Sequence, residues 1–147
     1  MAVWQWHPAG VLDVLAGNTK FTGAEYGITG SFKCLLLTSG FTVDPTNRYL
    51  SRSTIFGEVI GSGYTAGGVA VGNSTAYNEY LNTITLTFAD ASWYPGTFTA
   101  RTAVIYHNTT GGAPEFPLAW LTLPEDRSCY QSIFKITGPI LKIGLNP

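Results

Sequence analysis

The chain has 147 residues, a length that suits one domain with its own core. Charged residues make up only 12% of the chain, which is about half the usual share, and the formal net charge is −1. Such a chain has no strong field to attract nucleic acid or an acidic membrane surface, so we expect neither as a partner.

Residues 1–10 place two large aromatic side chains, Trp4 and Trp6, on one face of an extended segment. Two interpretations stay open: the segment folds back on its own domain, or it is an N-terminal arm that docks on a neighbouring subunit, where tryptophan is a favoured contact residue. The segment lacks the basic and apolar regions of a secretory signal, and no apolar run reaches the ~20 residues of a membrane span. We therefore expect a protein that is made in a cytoplasm.

The next segments predict short helical turns around one strand. Residues 11–16 favour one or two turns that end at Gly17, and residues 48–56, which follow Asp44-Pro45, favour another. Residues 31–38 form a nearly continuous apolar run, which is typical of a strand buried on both faces. Cys34 lies in this run and Cys129 in a polar one, and we expect both thiols to be free.

A glycine-rich passage, GSGYTAGG at residues 61–68, invites interpretation as a phosphate loop. It lacks the Gly-Lys-Ser/Thr ending, however, and it precedes the strand-like Val69-Ala70-Val71 rather than a helix. We therefore predict a glycine-rich loop that leads into a strand.

The rest of the chain has a β pattern throughout. Residues 69–77 and 83–88 predict two strands with a turn near Asn78, and residues 97–107 predict a long strand of unbroken two-residue alternation. On that pattern Phe98, Ala100, Thr102, Val104 and Tyr106 share one face. The run of residues 104–106 is apolar on both faces, so we expect it in a central strand, where the charged Arg101 needs a partner.

Three further strands complete the predicted fold. They are residues 118–123, which stop at Pro124, and a closing pair, 131–137 and 140–145, split by Gly138-Pro139. Seven or eight short strands with turn residues between them predict an all-β, single-domain β-sandwich over residues 1–147, jelly-roll-like, with one or two short helical turns.

The sequence contains no motif of a catalytic, metal or cofactor site. His107 ends the long strand with no carboxylate near it in sequence, and such a histidine is more often a surface or hydrogen-bonded residue than a base. The two histidines and two cysteines lack the spacing of a zinc site. Glu125-Asp126 is the one adjacent acidic pair, and it is typical of a solvated turn. We predict no catalytic residue, no metal and no cofactor.

One aromatic pair, Trp93-Tyr94, adjoins the turn residues Pro95-Gly96. The pair is either an exposed aromatic tip that stacks on sugar rings or part of the plug at the end of the sandwich, and we favour the plug. A glycan-degrading enzyme is a third alternative, which needs two facing carboxylates that the sequence does not locate.

Three passages together resemble small virion proteins of tailed bacteriophages. They are FKCLLLTSGF (32–41) with Asp44-Pro45 after it, EVIGSGYTAGGVA (58–70), and TFTARTAVIY (97–106) continuing through Leu118-Ala119-Trp120. The resemblance spans roughly residues 32–137, and its most specific part is the glycine-rich passage. The two ends of the chain do not match.

The resemblance implies a non-enzymatic structural protein of the virion. The role we expect is capsid decoration, or cement: a small domain, forming a homo-oligomer such as a trimer, that bridges subunits of the major capsid protein. A neck or tail appendage, even a glycan-binding fibre head, is the alternative, in which Trp93 and Tyr94 form the sugar platform. Either role places the protein in the virion after assembly in the bacterial cytoplasm.

Overall fold

The structure is a computed structural model, and it describes residues 3–8, 11, 31–40, 57–108 and 116–144. The helical turns predicted at 11–16 (apart from Val11) and 48–56 lie outside the described residues.

The described residues contain eight strands. They are β1 (Gln5–Trp6), β2 (Ser31–Leu37), β3 (Val69–Val71), β4 (Asn73–Asn78), β5 (Thr83–Phe88), β6 (Ala91–Asn108), β7 (Phe116–Ile136) and β8 (Ile140–Gly144). They form a five-stranded sheet in the order β1-β7-β6-β2-β3 and a three-stranded sheet in the order β4-β5-β8. All pairings are antiparallel. The predicted all-β class is confirmed, with the strands divided five and three between two sheets.

The long strand β6 is central, as predicted. It pairs with β7 along its whole length and with β2 over its second half, from Thr102 to Asn108. Val104, Ile105 and Tyr106 are all buried, because Ile105 faces the main core while Val104 and Tyr106 belong to a second cluster on the opposite face. Strand β2 is likewise buried on both faces.

The predicted assignment of side chains to the two faces of β6 is wrong, because the two-residue alternation is interrupted along the strand. Ala100 and Ala103 are three residues apart, yet both reach the main core, and the register with β7 is irregular between Ala100 and Thr102. The register is also irregular on both sides of Gly96, between Trp93 and Phe98, and these two residues likewise share the main core although they are an odd number of positions apart. Because a β-bulge can shift the following side chains to the other face, Phe98 lies in the main core and Val104 in the cluster on the opposite face.

Strand β7 does not stop at Pro124, contrary to the prediction. Between the pairs Ala100–Arg127 and Thr102–Thr122, β6 has one residue, Arg101, whereas β7 has four, 123–126. Pro124 lies in this bulge, where its missing N–H breaks no ladder bond. Arg101 finds its partner here as well, since its guanidinium lies 3.4 Å from the Asp126 carboxylate.

The predicted closing pair is divided between the two sheets. The end of β7 pairs with the start of β6, Ile136 opposite Ala91, while β8 pairs with β5. The predicted hairpin of β4 and β5 is confirmed, although the first predicted strand is interrupted at Gly72, where the chain passes from β3 in one sheet to β4 in the other. The sheets meet at Phe32 and Phe88, whose ring centroids are 5.1 Å apart.

The glycine-rich passage is a loop that leads into β3, as predicted, and it lies against the strands. A bridge joins Ser62 to Thr97 of β6. A Cβ on Gly61 would collide with the Thr97 carbonyl, and one on Gly68 with the Cys34 carbonyl. The glycines therefore allow backbone to approach backbone, which is a structural role.

Replacing Gly68 with alanine is expected to lower the free energy of unfolding by at least about 2 kcal/mol, because φ is +80° there and the new methyl group meets the backbone of β2. Urea denaturation would measure the loss. Gly144→Ala is the matched control, since no atom lies within 4 Å of the place that its new methyl group would take. Equal stability of the two variants would contradict this packing.

Candidate binding surfaces

A partly buried carboxylate holds the glycine-rich loop in place. Glu58 accepts hydrogen bonds from the Tyr64 hydroxyl (2.9 Å) and from the Gly67 backbone N–H (2.5 Å). The Tyr64 hydroxyl in turn accepts from the Leu36 N–H of β2 (3.0 Å), and the Tyr106 hydroxyl donates to the Gly67 carbonyl (2.6 Å). Burial, followed by the neighbouring Glu58 carboxylate, raises the pKa of Tyr64. The Gly67 N–H thus donates to a carboxylate of the chain itself.

The structure separates the predicted aromatic pair. Trp93 is only 5% exposed and packs among the rings of Tyr64, Phe98 and Phe134, with centroids 6.1 to 6.4 Å away. Its indole Nε1 has no hydrogen-bond partner in the part of the chain that the structure describes. Tyr94, on the opposite face of β6, is 75% exposed. Trp93 is therefore part of the main core, and Tyr94 is the exposed ring of the pair. The predicted turn at Pro95-Gly96 is wrong, because β6 continues through both residues, so the pair lies within a strand and not at a turn that ends the sandwich.

Tyr94 is one of three exposed side chains that we call the tyrosine face, with Tyr130 and Ile133 of β7. Tyr94 and Ile133 flank the buried cross-strand pair formed by Trp93 and Phe134, so both point away from the core. The tyrosine face is an aromatic surface with no ion pair of its own among the described residues.

The N-terminal tryptophans pack within their own chain. Trp6 belongs to β1, which pairs with Ala119 and Trp120 of β7, and its ring lies 6.5 Å from that of Phe88. The Trp4 indole donates a hydrogen bond to the Thr137 carbonyl (2.8 Å), and both tryptophans pack against the main core while staying partly exposed. A contact with another subunit or a capsid through this segment remains a prediction.

Trp4 also lines a groove beside β7, which we call the Trp4 groove. Its volume is about 330 Å³. The lining combines an indole and aliphatic side chains with two cations: Trp4, Leu121, Leu123, Arg127, Lys135, Ile136 and Thr137.

A fourth feature is an exposed apolar end of the β4–β5 hairpin, which we call the apolar overhang: Tyr77, Tyr80, Leu81 and Ile84. Ile84 points to the same side as the buried Leu86, and Tyr77 is paired with it across the strands. The inner face of the three-stranded sheet therefore continues beyond the core. Asn78 accepts hydrogen bonds from the N–H groups of Tyr80 and Leu81, so the turn holds Tyr80 at 91% exposure.

Both histidines are buried, which differs from the expectation for His107. Its side chain is 1% exposed, its ring lies 5.3 Å from that of Phe32, and neither ring nitrogen has a hydrogen-bond partner among the described residues. Burial lowers the pKa of His107, so the neutral imidazole is favoured in the fold. His7 is also buried, and its backbone N–H donates to the Leu118 carbonyl.

Titratable side chains do not assemble into a metal site in the part of the chain that the structure describes. No group of three or more His, Cys, Asp and Glu residues is found there. Cys34 and Cys129 are free thiols, as expected, and burial raises the pKa of Cys34. Within the same described ranges, no helix is long and apolar enough to cross a membrane.

Comparison with known proteins adds no relative. No family model, no curated protein and no solved structure matches the chain.

Tyr64→Phe tests how much the Tyr64 hydroxyl contributes to stability. The variant leaves the Leu36 N–H without its acceptor and the Glu58 carboxylate without one of its donors, in a partly buried site. We expect a loss of about 1–3 kcal/mol in the free energy of unfolding. The control is Tyr77→Phe, which removes an exposed hydrogen bond from the Tyr77 hydroxyl to Asn82. It should change the free energy of unfolding by less than about 0.5 kcal/mol. Denaturation of both variants checks this, and an equal effect would contradict the role of the loop network.

His107 should make stability depend on pH. Because its folded pKa lies below its ordinary value of about 6.5, its contribution is complete above that value and is lost as the pH falls towards the folded pKa. The unfolding free energy of the wild type should therefore drop between pH 7.5 and 5.5 by more than that of His107→Phe. Urea titrations at both pH values measure this, and parallel pH dependences would refute it.

Proposed function

We propose that this chain is a non-enzymatic structural protein of a tailed-bacteriophage virion, and that it decorates the head shell. The resemblance of residues 32–137 to small virion proteins supports the class. The apolar overhang is the observation that carries the proposal, because an ordered turn holds Tyr80 and Leu81 in solvent although neither contributes to the core.

The composition around the overhang suits a surface that becomes buried on assembly. From residue 59 to residue 88 the sequence holds one charged side chain, Glu79. Hydroxyl and aliphatic groups are desolvated at lower cost than charges, and charged residues are depleted at the centres of protein interfaces. The surrounding threonines of β5 add to this uncharged surface.

The mechanism is one of mass action. A protein that binds the assembled shell and not its dispersed subunits shifts the equilibrium towards the shell by an amount that grows with its occupancy. We propose that the bound form is a homo-oligomer, a trimer, in contact with the major capsid protein, so that one decoration unit bridges several capsid subunits.

A neck or tail appendage is the second candidate, and the tyrosine face favours it. Tyr94 and Tyr130 are each 75% exposed on the long β6–β7 ladder, whereas the overhang belongs to the β4–β5 hairpin of the other sheet. Exposed tyrosines combine apolar area with a hydroxyl, which suits contact with glycans or with other virion proteins.

The copy number per virion separates the two roles. Quantitative mass spectrometry of particles from the encoding phage should give a molar ratio to the major capsid protein near one to one or one to three for a decoration protein. A few copies per particle would instead indicate a neck or tail position. Absence from purified particles would overturn both.

The overhang can be tested on heads that lack this protein. The double variant Tyr80→Ser, Leu81→Ser should bind them at least about thirtyfold more weakly than the wild type, since two central contact residues commonly contribute 2 kcal/mol or more. Co-sedimentation would measure the binding. Tyr130→Ser, with the same exposed residue type on the tyrosine face, is the matched control, and equal binding of the two variants would contradict the assignment of this surface.

A further inference from the structure

The Trp4 groove has features of a ligand site that a shell-contact role does not require. It lies beside β7, and its apolar lining is formed by Leu121, Leu123 and Ile136. A concave site with an apolar lining, an aromatic wall and a few polar groups is the usual arrangement for binding a small molecule.

The aromatic wall is fixed in place. The Trp4 indole donates to the Thr137 carbonyl at 2.8 Å and packs against the main core, so its orientation is held by one polar and several apolar contacts. An immobilised indole offers a flat surface to a ligand at little cost in side-chain entropy.

Arg127, one of the two cations in the groove, makes two contacts with its own chain. The Arg127 guanidinium lies over the Phe134 ring, 4.9 Å from its centroid, and donates to the Lys135 carbonyl at 3.4 Å. Among the described residues the ion pairs are Arg101 with Asp126 and Lys135 with Asp90, and Arg127 belongs to neither. Its remaining N–H groups keep the fork geometry that binds a carboxylate.

The second cation is already neutralised. Lys135 lies 3.0 Å from the Asp90 carboxylate, which also accepts a hydrogen bond from the Gly138 N–H. This backbone bond, and then the lysine, lowers the pKa of Asp90 and keeps it charged. Arg127 is therefore the group in the groove that is left to select a negative charge.

The edge of β7 argues against an extended peptide as the ligand. Strand addition needs a regular row of free N–H and C=O groups. Here the edge carries Pro124 within the bulge, and Gln131 has a φ of +47°, which are features that protect an edge strand from pairing. A compact ligand suits the groove better than a strand.

We propose that the Trp4 groove binds a carboxylate-bearing sugar residue, with the carboxylate on Arg127 and the sugar ring against the Trp4 indole. This assigns a glycan-binding site to the chain that is separate from the apolar overhang and from the tyrosine face. It holds whether the protein decorates the head or belongs to the neck or tail.

The test is an NMR titration that follows the Trp4 indole N–H resonance, assigned through Trp4→Phe. Methyl glucuronide and a methyl sialoside are the acidic probes, and methyl glucoside is the neutral match to the first. We expect a saturable shift with at least one acidic probe and at least tenfold weaker binding of methyl glucoside. Arg127→Gln should weaken acidic-sugar binding at least tenfold.

Lys142→Gln and Tyr94→Ala are the controls, because the first removes an exposed positive charge of β8 that is not part of the groove lining and the second an exposed ring elsewhere. Both should bind as the wild type does. The proposal is overturned if neither acidic probe shifts the resonance, if the neutral sugar binds equally well, or if Arg127→Gln binds normally. Tighter binding of a tetraglutamate peptide would overturn it in favour of a peptide site. None of these results bears on the copy number in the virion, so the two proposals fail separately.

Discussion

The antiparallel ladder between β6 and β7 is the interaction on which the rest of this structure depends. β2 continues the sheet from the second half of β6, the glycine-rich loop covers the edge of its first half through Ser62, and β1 extends the sheet from β7. The tyrosine face and the Trp4 groove are both built on this ladder. Hydrogen bonds hold the glycine-rich loop against this ladder. The Gly67 N–H and the Tyr64 hydroxyl donate to Glu58, and Tyr106 of β6 donates to the Gly67 carbonyl. These bonds explain how a segment with few large side chains stays packed on the sheet.

Local patterns predicted most of the strands, because alternation and turn residues are properties of consecutive residues. They failed where a partner strand decides the outcome. The irregular register at Arg101 and the continuation of β7 through Pro124 have one cause: residues 123–126 of β7 lie opposite the single residue Arg101 of β6. The sequence of either strand alone does not reveal this pairing. The assignment of β8 to the second sheet likewise depends on β5, more than fifty residues earlier.

The candidate sites show the same limit. The sequence drew attention to Trp93-Tyr94 but could not say which ring faces solvent, because the answer follows from the phase of β6 after its bulges. The Trp4 groove could not be predicted, since Trp4 meets Arg127 and Thr137 only through folding. One feature of the sequence did point to this region: tryptophans at positions 4 and 6 predict that the segment packs against some protein surface.

The bulge of β7 at residues 123–126 is a segment in which a change of length would disturb the β6–β7 ladder little. Its residues have no partner on β6, so an insertion between Leu123 and Asp126 need not alter the register on either side. Leu123 also lines the Trp4 groove. Variation in this one segment would therefore reshape the groove while the ladder stays intact, and the same position is a natural site for displaying a grafted peptide on the surface of the domain.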